Sequence, residues 1–164
     1  MPKGTLLKEN GDISNARDIE KYLFEAADGD LGSTYFRGDY KSTLVTIVAY
    51  ILQGETSWTE GDLDKAITSF NYAVDAEDTL GFREPGPLPF SARHWLGAAL
   101  IEAGDYIQAE SIYRRALEKH PHNGWSLFGL KQALAGQDIN DEKINADFED
   151  SWARSNLFIT SSRF

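Results

Sequence analysis

The chain contains no cysteine, which excludes disulfides, thiol catalysis and zinc ribbons and leaves the redox compartment open. Basic residues are scarce: 16 Lys and Arg stand against 26 Asp and Glu, for a net charge of −10. Nucleic-acid affinity comes largely from cations neutralising phosphates, so nucleic acid is an unfit partner. The same deficit argues against docking on anionic lipid. Long apolar runs are missing too. The longest, Leu44–Leu52, has nine residues where a bilayer needs ~20. Met1–Asn10 is polar apart from Leu6 and Leu7 and offers no signal-peptide core, so the expected location is cytoplasmic. No P-loop, Gly-rich dinucleotide turn, His-Glu-x-x-His or Gly-x-Ser-x-Gly occurs.

What remains is 164 residues, 41% of them apolar and 26% charged. At roughly 150 residues per domain, that is a globular chain with one domain's worth of core. Its organisation lies in internal repetition. Gly54, Gly61, Ala66, Phe70 and Ala73 reappear 43 residues later as Gly97, Gly104, Ala109, Tyr113 and Ala116. Arg93, Leu96 and Leu100 reappear 34 residues later as Leu127, Leu130 and Leu134. A period of about 34 is that of a two-helix repeat. The nine extra residues of the first interval fall in 81–89, where three prolines forbid helix and mark an inserted loop. Arg83 in that loop is the expected first site of proteolysis.

The pattern predicts an all-α fold of about seven helices and requires no strand. They span Asn15–Asp28 with Asn15 as cap, Tyr40–Thr59, Asp62–Ala76, Phe90–Ala103, Asp105–His120, Gly124–Ala135 and Asp141–Arg154. Leu96, Leu100, Tyr113 and Leu117 are core candidates. Gly97, Ala109 and Ala116 supply the small residues that close helix crossings require.

These residues resemble the tetratricopeptide repeat. The family pattern of Leu-Gly, a large apolar residue, Ala, an aromatic, Ala and a late Pro is met by Leu96-Gly97, Leu100, Ala109, Tyr113, Ala116 and Pro121. Arg93 stands where the motif usually has Trp. Residues 47–80 resemble a weaker copy, in which Gln53 and Ser57 replace apolar positions. The expected organisation is an N-terminal segment 1–40 with one helix, then a helical domain 41–164. That domain has repeats at about 47–80, 90–123 and 124–154, the last with an atypical second helix. Residues 51–164, with Asn123–Leu130 and Ser161–Phe164, also resemble the C-terminal part of larger bacterial repeat proteins without assigned chemistry.

Stacked hairpins of this kind line a concave face with the first helix of each pair. On that face we expect a ligand-binding groove of Ile51, Glu55, Trp58, His94, Trp95, Ala98, Glu102, Trp125, Phe128 and Gln132, beside Val48, Leu52, Ser91 and Ile101. A patch carrying three tryptophans is rarely left bare, so either a partner or the chain itself covers it. Ile144, Phe148 and Trp152 form one apolar stripe, and Asp141–Arg154 is expected to cap the stack with Phe148 and Trp152 against Leu127, Leu130 and Leu134. Family members that hold acidic chaperone tails do so with Lys, Asn and Arg. This chain has Ile51, Glu55, Trp95, Trp125 and Gly129 at the matching places, which disfavours such a partner.

Catalytic signals are thin. His120-Pro-His122 has no third ligand beside it, and His94 sits next to Trp95 on a helix. Arg37-Gly38-Asp39 is a chance-level tripeptide. The sequence therefore implies no catalytic residues, no metal and no cofactor. Its function is protein–protein interaction with a peptide or protein segment, or, as the alternative, a structural end-piece whose groove the chain itself fills.

Overall fold

The computed structural model describes residues 10–29, 31, 34–36, 38–81 and 86–163. Arg37 and Arg83 lie outside them, and with them the expected site of proteolysis. Seven helices are present among the described residues: α1 (Asn10–Asp28), α2 (Lys41–Glu60), α3 (Leu63–Asp78), α4 (Arg93–Ala103), α5 (Tyr106–Lys119), α6 (Gly124–Ala135) and α7 (Glu142–Trp152). Helix α1 starts at Asn10, so Asn15 is an interior residue and not the cap. The expectation of no strand fails in one place. Tyr35–Phe36 (β1) and Asp39–Tyr40 (β2) form a short antiparallel hairpin through Gly38, whose φ is 88°. Asp39 is buried there and accepts a hydrogen bond from Gly81 N at 3.2 Å.

Sequence signals set the helix ends. Asp62 accepts from Lys65 N at 3.0 Å and Asp105 from Gln108 N at 3.1 Å, each satisfying an otherwise unpaired amide of the first turn. Before each Asp stands a glycine in the left-handed region, Gly61 at φ 91° and Gly104 at φ 80°. A side chain there would be strained, so glycine closes both first helices. Asn123 and Asp141 cap α6 and α7 in the same way.

The chain divides into two compact units, Met1–Ala92 and Arg93–Phe164. In the first, α2 packs on α3 and α1 on α2. Gln53, polar where the repeat pattern is apolar, joins all three helices. It donates to Glu20 at 2.7 Å and accepts from Ser69 at 3.0 Å, while Arg17 donates to Glu20 at 2.9 Å. A ladder of rings, Phe24 on Tyr50 and Tyr50 on Tyr72, runs over the same three helices. The loop after α3 is held at its far end by Glu77, which accepts from Ser91 Oγ and Ala92 N.

In the second unit α5 packs on both α4 and α6, α4 touches α6, and α7 lies on α6. Tyr113 is its largest fully buried side chain. Its ring lies against the bare backbones of Gly97 on α4 and Gly129 on α6, where any Cβ would overlap the ring. Phe70 meets Gly54 in the same manner in the first unit.

The aromatic rings of helix α7 meet aromatic residues of α6. Phe148 packs on Phe128 at 5.5 Å and Trp152 on Trp125 at 5.4 Å, with Trp152 also lying over Gly124. Leu127, Leu130 and Leu134 are buried, and Leu134 lines a cleft with Ile144 of α7. Residues one or two places apart on a helix are rotated by ~100–200°, so the aromatic pair and the leucine triplet face different neighbours. Helix α7 takes the aromatic side, where ring pairs add ~0.5–1.5 kcal/mol beyond area burial.

Two predictions follow from this packing. Gly97→Ala places a methyl group inside the Tyr113 ring and should cost ~1–3 kcal/mol, read as a lower midpoint in urea unfolding. An unchanged midpoint would mean that α4 and α5 can separate freely. The second concerns His94, buried between α4 and α6 with Nε2 at 3.0 Å from Ser126 Oγ. Burial pushes its pKa from 6.5 down to about 4, with Asn123 offsetting part of the shift and His120 adding to it. The unfolded chain therefore binds a proton that the folded chain refuses. This contribution to stability is complete above pH 6.5 and is lost as pH falls toward 4, by roughly 3 kcal/mol in all. His94→Gln should remove most of the decline in Tm over that window; an equal decline in the variant refutes the assignment.

Candidate functional site

The residues expected to line a groove divide between the two units. Ile51, Glu55 and Trp58 belong to α2. Ile51 is buried, Glu55 and Trp58 are half-buried, and Trp58 packs edge-on against Phe70 at 6.2 Å. The rest belong to the second unit. Of the α4 residues, His94, Trp95 and Ala98 are buried and Glu102 is exposed; Trp95 retains only 5% of its surface. Trp125, Phe128 and Gln132 on α6 are half-buried.

Part of that burial comes from the chain's own C-terminal segment. After α7, residues 155–163 run without regular structure. Trp152 Nε1 donates to the Leu157 carbonyl at 2.9 Å, which fixes where the segment leaves the helix. Gln132 Nε2 donates to the Thr160 carbonyl at 3.2 Å. Two residues on, Ser162 is fully buried. Its Oγ donates to the His94 carbonyl at 2.8 Å and lies 2.6 Å from the Tyr113 hydroxyl. A serine hydroxyl has a single proton and a carbonyl can only accept, so Tyr113 donates to Ser162. Burial raises the Tyr113 phenol well above its ordinary value, so it keeps the proton it donates.

Two of the expected residues, His94 and Gln132, therefore act together, though not as an open surface. His94 offers its backbone carbonyl to the segment, and its imidazole ties α4 to Ser126 of α6. Gln132 reads a main-chain carbonyl. Tyr113 and Ser162 were not among the expected site residues. Tyr113 reads as core by its repeat position, and Ser162 sits in a polar stretch without periodicity. The only available hint was the hydroxyl itself, since the matching aromatic of the first repeat is Phe70.

The imidazole of His94 is neutral near pH 7, and its Nδ1 meets no partner among the described residues. No group of three His, Asp or Glu among them is placed to hold a metal ion. A cleft between the end of α6 and the start of α7 is lined by apolar Leu134, Ile139 and Ile144 and by polar Asn140, Asp141, Asn145 and Glu149. No helix among the described residues is long and apolar enough to cross a membrane.

Comparison with known proteins agrees with this geometry. Residues 47–79 and residues 90–133 each match a family model described as tetratricopeptide repeat. Among solved structures, the crystal structure of MamA protein is similar in fold, with a TM-score of 0.54 and 13% identity over 92% of this chain and 88% of that one. A search of curated proteins finds no match. Both matched segments carry the helix pairs and the glycine–aromatic crossings, so residues 47–79 and 90–133 of this chain are tetratricopeptide repeats.

Proposed function

We propose that the protein is a non-catalytic interaction module that binds an extended peptide or protein segment on the first helices of its repeats. Tetratricopeptide repeats imply protein–protein interaction and generally serve as scaffolds. One observation carries the finer reading: the α4–α6 face already holds an extended stretch of chain by main-chain and hydroxyl contacts, at Thr160 and Ser162. A face that seats one such segment has the donors and acceptors to seat another. The proposed contacts of this face are His94, Trp95, Ala98, Glu102, Trp125, Phe128 and Gln132; Ile51, Glu55 and Trp58 on α2 form a separate candidate surface of the first unit. With a net charge of −10 and Glu55 and Glu102 among these residues, the favoured ligand is apolar and basic, and an acidic chaperone tail is disfavoured.

A second reading is a structural end-piece whose groove is permanently filled. The burial of Ser162 and the cover of α7 over Trp125 and Phe128 support it.

Panning a random peptide library on the full chain separates the two. The interaction reading expects enrichment of apolar-basic sequences, with affinity reduced about tenfold by reversing the exposed charge in Glu102→Lys, or ~1.4 kcal/mol. No enrichment over a library panned on an unrelated helical protein favours the end-piece and sinks the interaction reading.

A further inference from the structure

The C-terminal segment is held very unevenly. Ser162 is fully buried, yet Phe158, four residues before it, is 91% exposed, and Leu157 is also exposed. The segment has no regular structure, Leu157 and Phe158 leave their apolar surface in solvent, and Ser162 anchors it through hydrogen bonds. A hydrogen bond of this kind contributes little net free energy, because water competes for both partners, so a competing ligand can overcome it. The seat, by contrast, is rigid. Tyr113 is fixed between the backbones of Gly97 and Gly129, and the His94 carbonyl is part of α4.

The seat is also selective. It presents one donor, the Tyr113 hydroxyl, and one acceptor, the His94 carbonyl, to a fully buried atom. A hydroxyl satisfies both at once; a methyl group leaves both unpaired, and a carboxylate meets the carbonyl with like charge. The first repeat cannot build such a seat, because Phe70 has no hydroxyl.

We infer that residues 155–163 are a displaceable resident ligand, and that the α4–α6 face is a serine-reading peptide site whose incoming partner is an extended segment placing a serine hydroxyl where Ser162 now sits. This rests on the interaction reading above and adds regulation to it: the site is closed by its own tail until a competing serine-bearing segment replaces it. The tail is the site's own template, so the probe is defined without knowing the partner. Gln132 sets the register by holding the carbonyl two residues before the serine.

The test uses the full chain and a labelled synthetic peptide of residues 155–164, followed by fluorescence polarisation. Wild type should bind the peptide weakly, because its own tail competes. Full-length Ser162→Leu, whose tail cannot seat, should bind it at least tenfold more tightly. The peptide carrying Ser162→Ala should bind that variant about tenfold more weakly than the unaltered peptide. Tyr113→Phe gives an independent readout. Phe70 shows that the fold accepts a phenylalanine at the matching crossing, and loss of the donor should speed hydrogen exchange at residues 158–163 by several-fold while α4 and α5 stay protected. Equal affinity of wild type and Ser162→Leu, or of the two peptides, overturns the inference. So does absence of peptide binding by both proteins when their thermal melts show them folded. If library panning still enriches other peptides in that case, the interaction reading survives and only the resident-ligand inference is lost.

Discussion

The second unit depends on one crossing. The Tyr113 ring can lie between α4 and α6 only because Gly97 and Gly129 have no side chains there. Small residues set how closely helices approach, and the large ring fills the space that approach leaves. The consequences reach outward from that contact. The phenol emerges beside the His94 carbonyl, and the His94 ring meets Ser126. The C-terminal segment then finds a donor and an acceptor side by side. The first unit uses the same crossing with Gly54 and Phe70 and ends it at the ring, without a polar tip.

The two units also handle polar residues differently. In the first, Gln53 departs from the apolar pattern, and its amide joins Glu20 of α1 to Ser69 of α3. An extra N-terminal helix is thereby held by a buried polar network on top of apolar packing, and such networks are favourable only when satisfied. In the second, Arg93 is buried at the start of α4, and with it His94, Ser126 and Ser162, which hydrogen-bond across elements. They connect α4, α6 and the tail. What reads as a weakened repeat in one case, and as an unremarkable serine in the other, is in each case the point where a non-repeat segment attaches.

Function follows from the same contrast. The buried imidazole of His94 is kept neutral by desolvation, and the Tyr113 phenol is kept protonated. Those states suit hydrogen bonds of fixed direction, which recognise a shape and do not move a proton. A scaffold that places such groups on paired helices is fitted to hold a segment of chain, whether its own or another's.

Much of this was readable in the residues. The offsets of 43 and 34, the Gly-Asp helix ends and the small residues at crossings are local properties, fixed by helix geometry and by backbone sterics. They determined the all-α repeat architecture, the positive-φ glycines and the capping aspartates. Other features depended on which surfaces meet. The sequence showed two apolar stripes on α6 but not that α7 takes the aromatic one, because rotation about a helix axis is settled by the neighbours competing for each face. It showed tryptophans on the first helices but not that Trp95 is buried. Asn15 looked like a cap because nothing local distinguishes a helix that starts five residues earlier. Ser162 belongs to a segment without periodicity, and its burial arises from atoms 49 and 68 residues away in the chain. Only the tertiary structure brings those atoms together, since a hydrogen bond over that separation leaves no pattern in the sequence around it.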